Sequence, residues 1–368
     1  MAGGRCGGGQ RRWSAARGRA EGRRTRCARA TGTAVRRGVR GEWNRMTASR
    51  VVTLGETMGL LTGGRIGSLA HVSEAHVGIG GAETNVAVSL SRLGIAVTWI
   101  GRVGDDSLGR RVVREVRGEG VDVRAQVDPE APTGLMLKEL TGPGTSRVYY
   151  YRAGSAGSRL AATDVPAGLV ESVGLVHLTG ITPLLSDSAR EACLSVVRRA
   201  RAAGVRVSVD VNYRSTLAPA EVAAPVLGEL VEEADLVFGS PDELAYVVPG
   251  GVADDSSAID ELARALDPTG GREIVVKRGA DGASTYAEGT VAHAPGHRVD
   301  VVDTVGAGDA FVAGYLSGDV QGWSVEEKLA RANACGAVMC TTPGDWEAAP
   351  TPAEIEAFLG ADVDPVQR

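Results

Sequence analysis

Residues 303–316 read D-T-V-G-A-G-D-A-F-V-A-G-Y-L, a glycine-rich turn that passes straight into an apolar helix expected over 308–318. The start of a helix presents backbone N–H groups without intrahelical partners and the positive end of the helix dipole, a setting suited to a phosphate or a developing anion. Gly306 and Gly308, with Ala307 between them, let the main chain approach such a group closely. Asp309 falls in the first turn, beside that anion site. A carboxylate there can take a proton from a substrate hydroxyl while the amides of 306–308 stabilise a moving phosphoryl group. The plainer reading is an ordinary glycine turn with Asp309 as a favourable first-turn charge. A second glycine-rich turn, G-I-G-G-A-E-T-N at 78–85, also opens a helix. Its Glu83 and Asn85 either address hydroxyls or cap the helix start.

Outward from these turns, strands and helices alternate. Strands are expected at Arg50–Glu56, Val97–Val103, Gly174–Thr179, Val205–Val211, Leu236–Phe238 and Glu273–Lys277. Helices are expected at 81–94, Leu108–Arg117, Ser188–Ala203, Ala220–Glu233, Ile259–Leu266, 325–340 and 352–359. This alternation implies an α/β fold with a mostly parallel sheet covered by helices. Residues 57–80 and 123–151 carry strand-like segments and no helix signal, and read as a small β subdomain inserted into that core.

Several classes of function are excluded. There is no G-x-x-x-x-G-K-[ST] phosphate loop, and G-I-G-G-A-E lacks the third glycine of a dinucleotide fingerprint. G-S-A-G at 154–157 is not a nucleophile elbow. No run of 18 apolar residues exists to span a membrane, and the five cysteines follow no metal-ligand spacing. The net charge of −5 hides a split. Residues 1–50 hold 14 Arg against two acids, so the remainder, with 26 basic and 43 acidic residues, stands at −17. The acidic body has no global attraction for nucleic acid. Residues 1–49 form an Arg/Gly-rich extension expected to be disordered. It is expected to be untranslated, with synthesis starting at Met46, or else an RNA-binding arm or a targeting segment; a secretory signal is not expected, because no apolar stretch follows the charges. A cytoplasmic location is expected.

The motifs G-G-A-E-T-N-V-A at 80–87 and D-T-V-G-A-G-D-A-F at 303–311, with G-R-V-G-D-D-S-L-G at 101–109 between them, resemble the paired signatures of the ribokinase-like (pfkB) carbohydrate kinases. The resemblance spans 50–360 and implies a kinase domain over 50–362. Its fold would be a ribokinase-like three-layer sandwich with lid segments near 57–80 and 123–151. It implies ATP and Mg²⁺ as cofactors, with a monovalent cation such as K⁺ also an option, and a homo-oligomer formed through the β lid. Asp309 would be the base, and the amides of Gly306, Ala307 and Gly308 the anion hole. Gly81, Ala82, Glu83 and Asn85 would meet the sugar. Lys277, Arg278, Gly279 and Gly282, in I-V-V-K-R-G-A-D-G-A at 274–283, would contact the nucleotide, or simply turn a hairpin. Asn212, Arg214, Ser240 and Asn333 would join them. The family's N-x-x-E motif is met by Ser240-Pro241-Asp242-Glu243, with Ser in place of Asn; Glu243 would reach the metal through water, and the same four residues also fit a capping box.

Within the family, G-E-T-M at 55–58, Y-Y-R-A-G-S-A-G-S at 150–158 and D-V-N-Y-R at 210–214 resemble the kinases of 2-keto-3-deoxygluconate, a sugar acid. That likeness implies sugar contacts from Tyr150, Tyr151, Arg152, Arg214 and Asp345. The residues agree: the chain has only three lysines, at 138, 277 and 328, so arginine forks are its main means of holding a carboxylate, the plainer reading of Arg152 and Arg214 being surface ion pairs with some of the 43 acids of the body. Tyr150 and Tyr151 alternate across their strand, so one of them faces elsewhere. A kinase for a neutral sugar or a nucleoside is the alternative within the family. A non-catalytic protein using the Arg-rich head on nucleic acid is the alternative outside it, against which the intact turn and Asp309 argue.

Overall fold

The computed structural model describes residues 50–142, 144–248, 259–268 and 270–360. The Arg-rich extension, Met46 and residues 361–362 lie outside them. Nine strands of the described residues form one sheet in the order β13-β12-β11-β10-β9-β8-β1-β4-β5. These are β1 (Arg50–Leu54), β4 (Ala96–Gly104), β5 (Asp122–Asp128), β8 (Leu175–Thr179), β9 (Arg206–Asp210), β10 (Leu236–Gly239), β11 (Glu273–Lys277), β12 (Ala283–Ala287) and β13 (Thr290–Ala294). From β11 to β5 all pairings are parallel; β12 and β13 add an antiparallel edge.

Alternate side chains of the central strands feed two cores. On one face Val52, Leu54, Val176, Leu178, Val207 and Val209 pack with Ala189, Ala192 and Val196 of α3 (Asp187–Ala203) and Leu227 of α4 (Ala220–Glu232). On the other, Val51, Leu175, Phe238 and Val275 meet α1 (Ala82–Arg92), α7 (Ala307–Asp319) and α8 (Val325–Met339). Helix, sheet and helix therefore form three layers, as expected. Gly314 brings α7 and α8 together, since a Cβ there would lie 2.9 Å from Ala332 Cα. The remaining helices are α2 (Ser107–Gly118), α5 (Pro241–Val247), α6 (Ile259–Leu266) and α9 (Pro352–Leu359).

A separate four-stranded sheet has the order β3-β2-β6-β7, built from β2 (Met58–Gly63), β3 (Ala75–Gly80), β6 (Leu135–Gly142) and β7 (Thr145–Tyr151). One boundary differs from the sequence reading. Asp122–Asp128, expected in the small subdomain, is the outer strand of the large sheet, in parallel register with β4 from Thr98↔Asp122 to Gly104↔Asp128. The crossover through α2 continues the β-α-β pattern one strand further than the loss of helix signal after 118 suggests. Strands β12 and β13 also follow Lys277 as a hairpin that the alternation did not mark.

Candidate active site

The C-terminal ends of the parallel strands open into a cleft of about 840 Å³, where ligands of open α/β sheets gather. The turn at 304–308 and the start of α7 form its floor. Gly306 is the N-cap at φ 76°, and a Cβ there would lie 2.0 Å from the Asp345 carbonyl oxygen, so only glycine fits. No side chain caps α7. Among the described residues the N–H groups of Gly306 and Gly308 have no backbone acceptor, whereas that of Ala307 reaches the Thr304 carbonyl at 3.3 Å. Two of the three expected anion-hole amides are therefore open.

Asp309 is 8% exposed and lines the cleft. Its Oδ2 accepts from Asn85 Nδ2 at 2.8 Å and its Oδ1 from Asn212 Nδ2 at 3.5 Å. Asn85 is held by α1, whose N-cap Gly81 passes so close to the Glu56 carbonyl that a Cβ would lie 2.4 Å from it. Asn212 adopts φ 39°, a left-handed backbone that turns its side chain group into the site just after β9. Burial pushes the Asp309 carboxyl up to about 7, the Asn85 hydrogen bond pulling the other way. The carbonyl oxygens of both asparagines are buried with no donor among the described residues.

Charged groups ring this centre. Lys277, at the end of β11, donates to both Asp210 oxygens at 2.7 and 2.8 Å and lies 3.9 Å from Glu243. Burial opposes its charge, but these carboxylates hold its pKa above the usual lysine value. Arg152, expected to be available for a carboxylate, is taken by Glu56 at 2.6 Å, a partner the sequence reading did not single out. Arg214 lines the cleft and makes no close ion pair among the described residues, but its charge acts on Asp309, opposing the rise that burial causes. Glu83 faces the cleft but spends Oε1 on the hydroxyls of Thr179 and Thr182 at 2.6 and 2.5 Å; burial raises its pKa. Gly81, Ala82, Tyr150 and Asp345 also line the cleft, with Met58, Leu60 and Met136 as an apolar wall.

Of the other expected residues, Glu243 lines the cleft and the rest lie apart from it. Tyr151 is 61% exposed, on the strand face opposite Tyr150. Asn333 donates to the carbonyls of Ala294 and Pro295. Arg278 bonds Ser284, and Gly279 and Gly282, both at positive φ, turn β11 into β12, as the hairpin reading holds. Ser240 and Glu243 form a reciprocal capping box on α5, at 2.8 and 3.2 Å. Among the described residues no three His, Cys, Asp or Glu side chains cluster as a metal site, and no helix is long and apolar enough to cross a membrane.

The family model for pfkB carbohydrate kinases matches residues 48–352. The chain belongs to the pfkB family of carbohydrate kinases. This pfkB kinase is 35% identical over 314 residues to a 2-dehydro-3-deoxygluconokinase of Bacillus subtilis, covering 84% of this chain and 95% of that one. It is 38% identical over 320 residues to a 2-dehydro-3-deoxygluconokinase of Thermoproteus tenax, covering 84% and 94%. Its fold matches a ribokinase II candidate of Escherichia coli, solved in complex with ATP and Mg²⁺, with a TM-score of 0.77 and 26% identity over 85% of this chain and 99% of that one.

Proposed function

We propose that this pfkB kinase transfers the γ-phosphoryl group of MgATP to a primary hydroxyl of a sugar acid, 2-keto-3-deoxygluconate, giving the 6-phosphate. The observation that carries the reading is Asp309: a buried carboxyl near neutral pKa, oriented by Asn85, beside two open amides at a helix start. Asp309 takes the hydroxyl proton as that oxygen forms its bond to γ-phosphorus and the bond to ADP breaks. The amides of Gly306 and Gly308 and the ammonium of Lys277 meet the charge on the phosphoryl oxygens. The unpartnered oxygens of Asn85 and Asn212 fit a polyol, whose hydroxyls would donate to them. Glu243 offers a hard carboxylate oxygen on the cleft, which fits a water-mediated contact to Mg²⁺; the remaining ligands would be phosphate oxygens and water. Bound there, Mg²⁺ would offset charge on the ATP phosphates.

A sugar acid is supported by the two 2-dehydro-3-deoxygluconokinase relatives and by Arg214, a cleft arginine that makes no close ion pair among the described residues. Arg214→Ala is expected to raise KM for 2-keto-3-deoxygluconate by roughly 10–150-fold, the value of a charged hydrogen bond. Fructose is the control: equal losses on the acid and the neutral sugar would mean that Arg214 does not read the carboxylate.

The base assignment also sets a pH profile. Asp309 accepts a proton only when ionised, so kcat/KM is expected to fall about tenfold per pH unit below a midpoint near 7. A midpoint near 4 would mean that burial does not raise the Asp309 carboxyl, since that is the ordinary range of an aspartate.

A further inference from the structure

Lys138 lies on β6 of the small sheet with its side chain 1% exposed. Its ammonium is ion-paired with Asp303 and lies 3.6 Å from the Asp345 carboxylate. Both acids belong to segments that wall the start of α7. Asp303 Oδ1 accepts the Val305 N–H at 3.2 Å, and Oδ2 the Gly344 N–H at 3.3 Å. The Asp345 main chain is pressed against Gly306. One buried cation therefore joins the small sheet to the turn that carries the open amides, although Lys138 itself lies behind the cleft wall.

We propose that Lys138 is a positioning residue for phosphoryl transfer: through Asp303 and Asp345 it fixes the Gly306–Gly308 turn and couples the seating of the small sheet to the formation of the anion site. The inference rests on the proposed role of that turn. Without the ammonium, two buried carboxylates would share one space with no counter-charge, and such a pair either separates or takes up a proton. Separation pulls on the Val305 and Gly344 amides and moves the turn. A displacement on the order of 1 Å at a reacting centre costs about 10²-fold in rate.

The test is Lys138→Met in the full-length enzyme. Its kcat is expected to fall about 10²-fold, with the KM values for ATP and sugar nearly unchanged. In Lys138→Ala, methylammonium is expected to restore part of kcat by refilling the cation position. A lower Tm with wild-type kcat per folded molecule would overturn the proposal, because a purely structural lysine predicts that result. If Lys138→Met fails to fold, Lys138→Met with Asp303→Asn removes one of the two carboxylates left without a counter-charge. Recovered folding with kcat still low supports positioning, and recovered folding with wild-type kcat overturns it. Asp309→Asn, run in parallel, separates the layers. An inactive Asp309→Asn beside a fully active Lys138→Met sinks only the lysine proposal, whereas an active Asp309→Asn sinks the reading beneath it.

Discussion

Asp309→Asn is expected to lower kcat by roughly 10²–10⁴-fold while ATP still binds, because the amide keeps the shape and the Asn85 hydrogen bond but cannot accept a proton. The same change is expected to stabilise the fold at pH 8. The carboxyl has its pKa raised from 3.8 to about 7 by burial. Between those values the native state holds a proton that the unfolded chain has released, so stability falls as pH rises through the window and the whole penalty is present above about 7. Asparagine carries no such penalty, and the gain is on the order of a few kcal/mol. Steady-state kinetics with thermal melts at pH 5 and pH 8 checks both halves. Near-normal kcat in the folded variant would remove Asp309 as the base, and an equal Tm difference at the two pH values would remove the burial penalty.

Gly308→Ala is expected to show the same opposition from a different cause. A Cβ at 308 meets nothing nearer than Lys277 Nζ at 3.9 Å, so the variant folds. Alanine in place of glycine in the first turn of a helix is favourable by roughly 0.5–1 kcal/mol. The added methyl, however, stands in the open space between the amide and Lys277, where the phosphoryl group must come. A loss of about 10²-fold in kcat/KM is expected from displacing it. Gly306→Ala is the contrasting control: its Cβ would strike the Asp345 carbonyl at positive φ, so it is expected to destabilise the protein as well. Unchanged kinetics in Gly308→Ala would mean that the phosphoryl group binds elsewhere.

The parallel core was legible because four of its strands, β4, β8, β9 and β10, lead into a helix, and the two glycine turns announced themselves by residue type. Which sheet a strand joins was less legible. Asp122–Asp128 has the same alternating pattern as the strands of the small sheet, and only its register with β4 assigns it. At the site, Asp309, Asn85 and Lys277 were visible in the motifs, but their partners were not. Arg152 meets Glu56 across 96 residues, Lys277 meets Asp210 across 67, and Lys138 meets Asp303 across 165. No local pattern encodes such pairs. The sequence left Arg152 open between a carboxylate fork and an ion pair with one of the body's acids, and the fold pairs it with Glu56. The bonds of Asn333 to main-chain carbonyls and of Arg278 to Ser284 likewise leave no trace in composition.

The outer strand β5 bears on what the sheet does at its limit. An unpaired strand edge offers N–H and C=O groups to any extended chain that drifts past, and is a route to aggregation. Here that edge reads D-V-R-A-Q-V-D, with Asp122 and Arg124 in an exposed ion pair at 3.1 Å and Asp128 bound by Arg102 at the far end. A second strand adding to β5 would have to bring its own side chains past these fixed charges. The residues that made the segment look foreign to the apolar core are the ones that stop the sheet from growing.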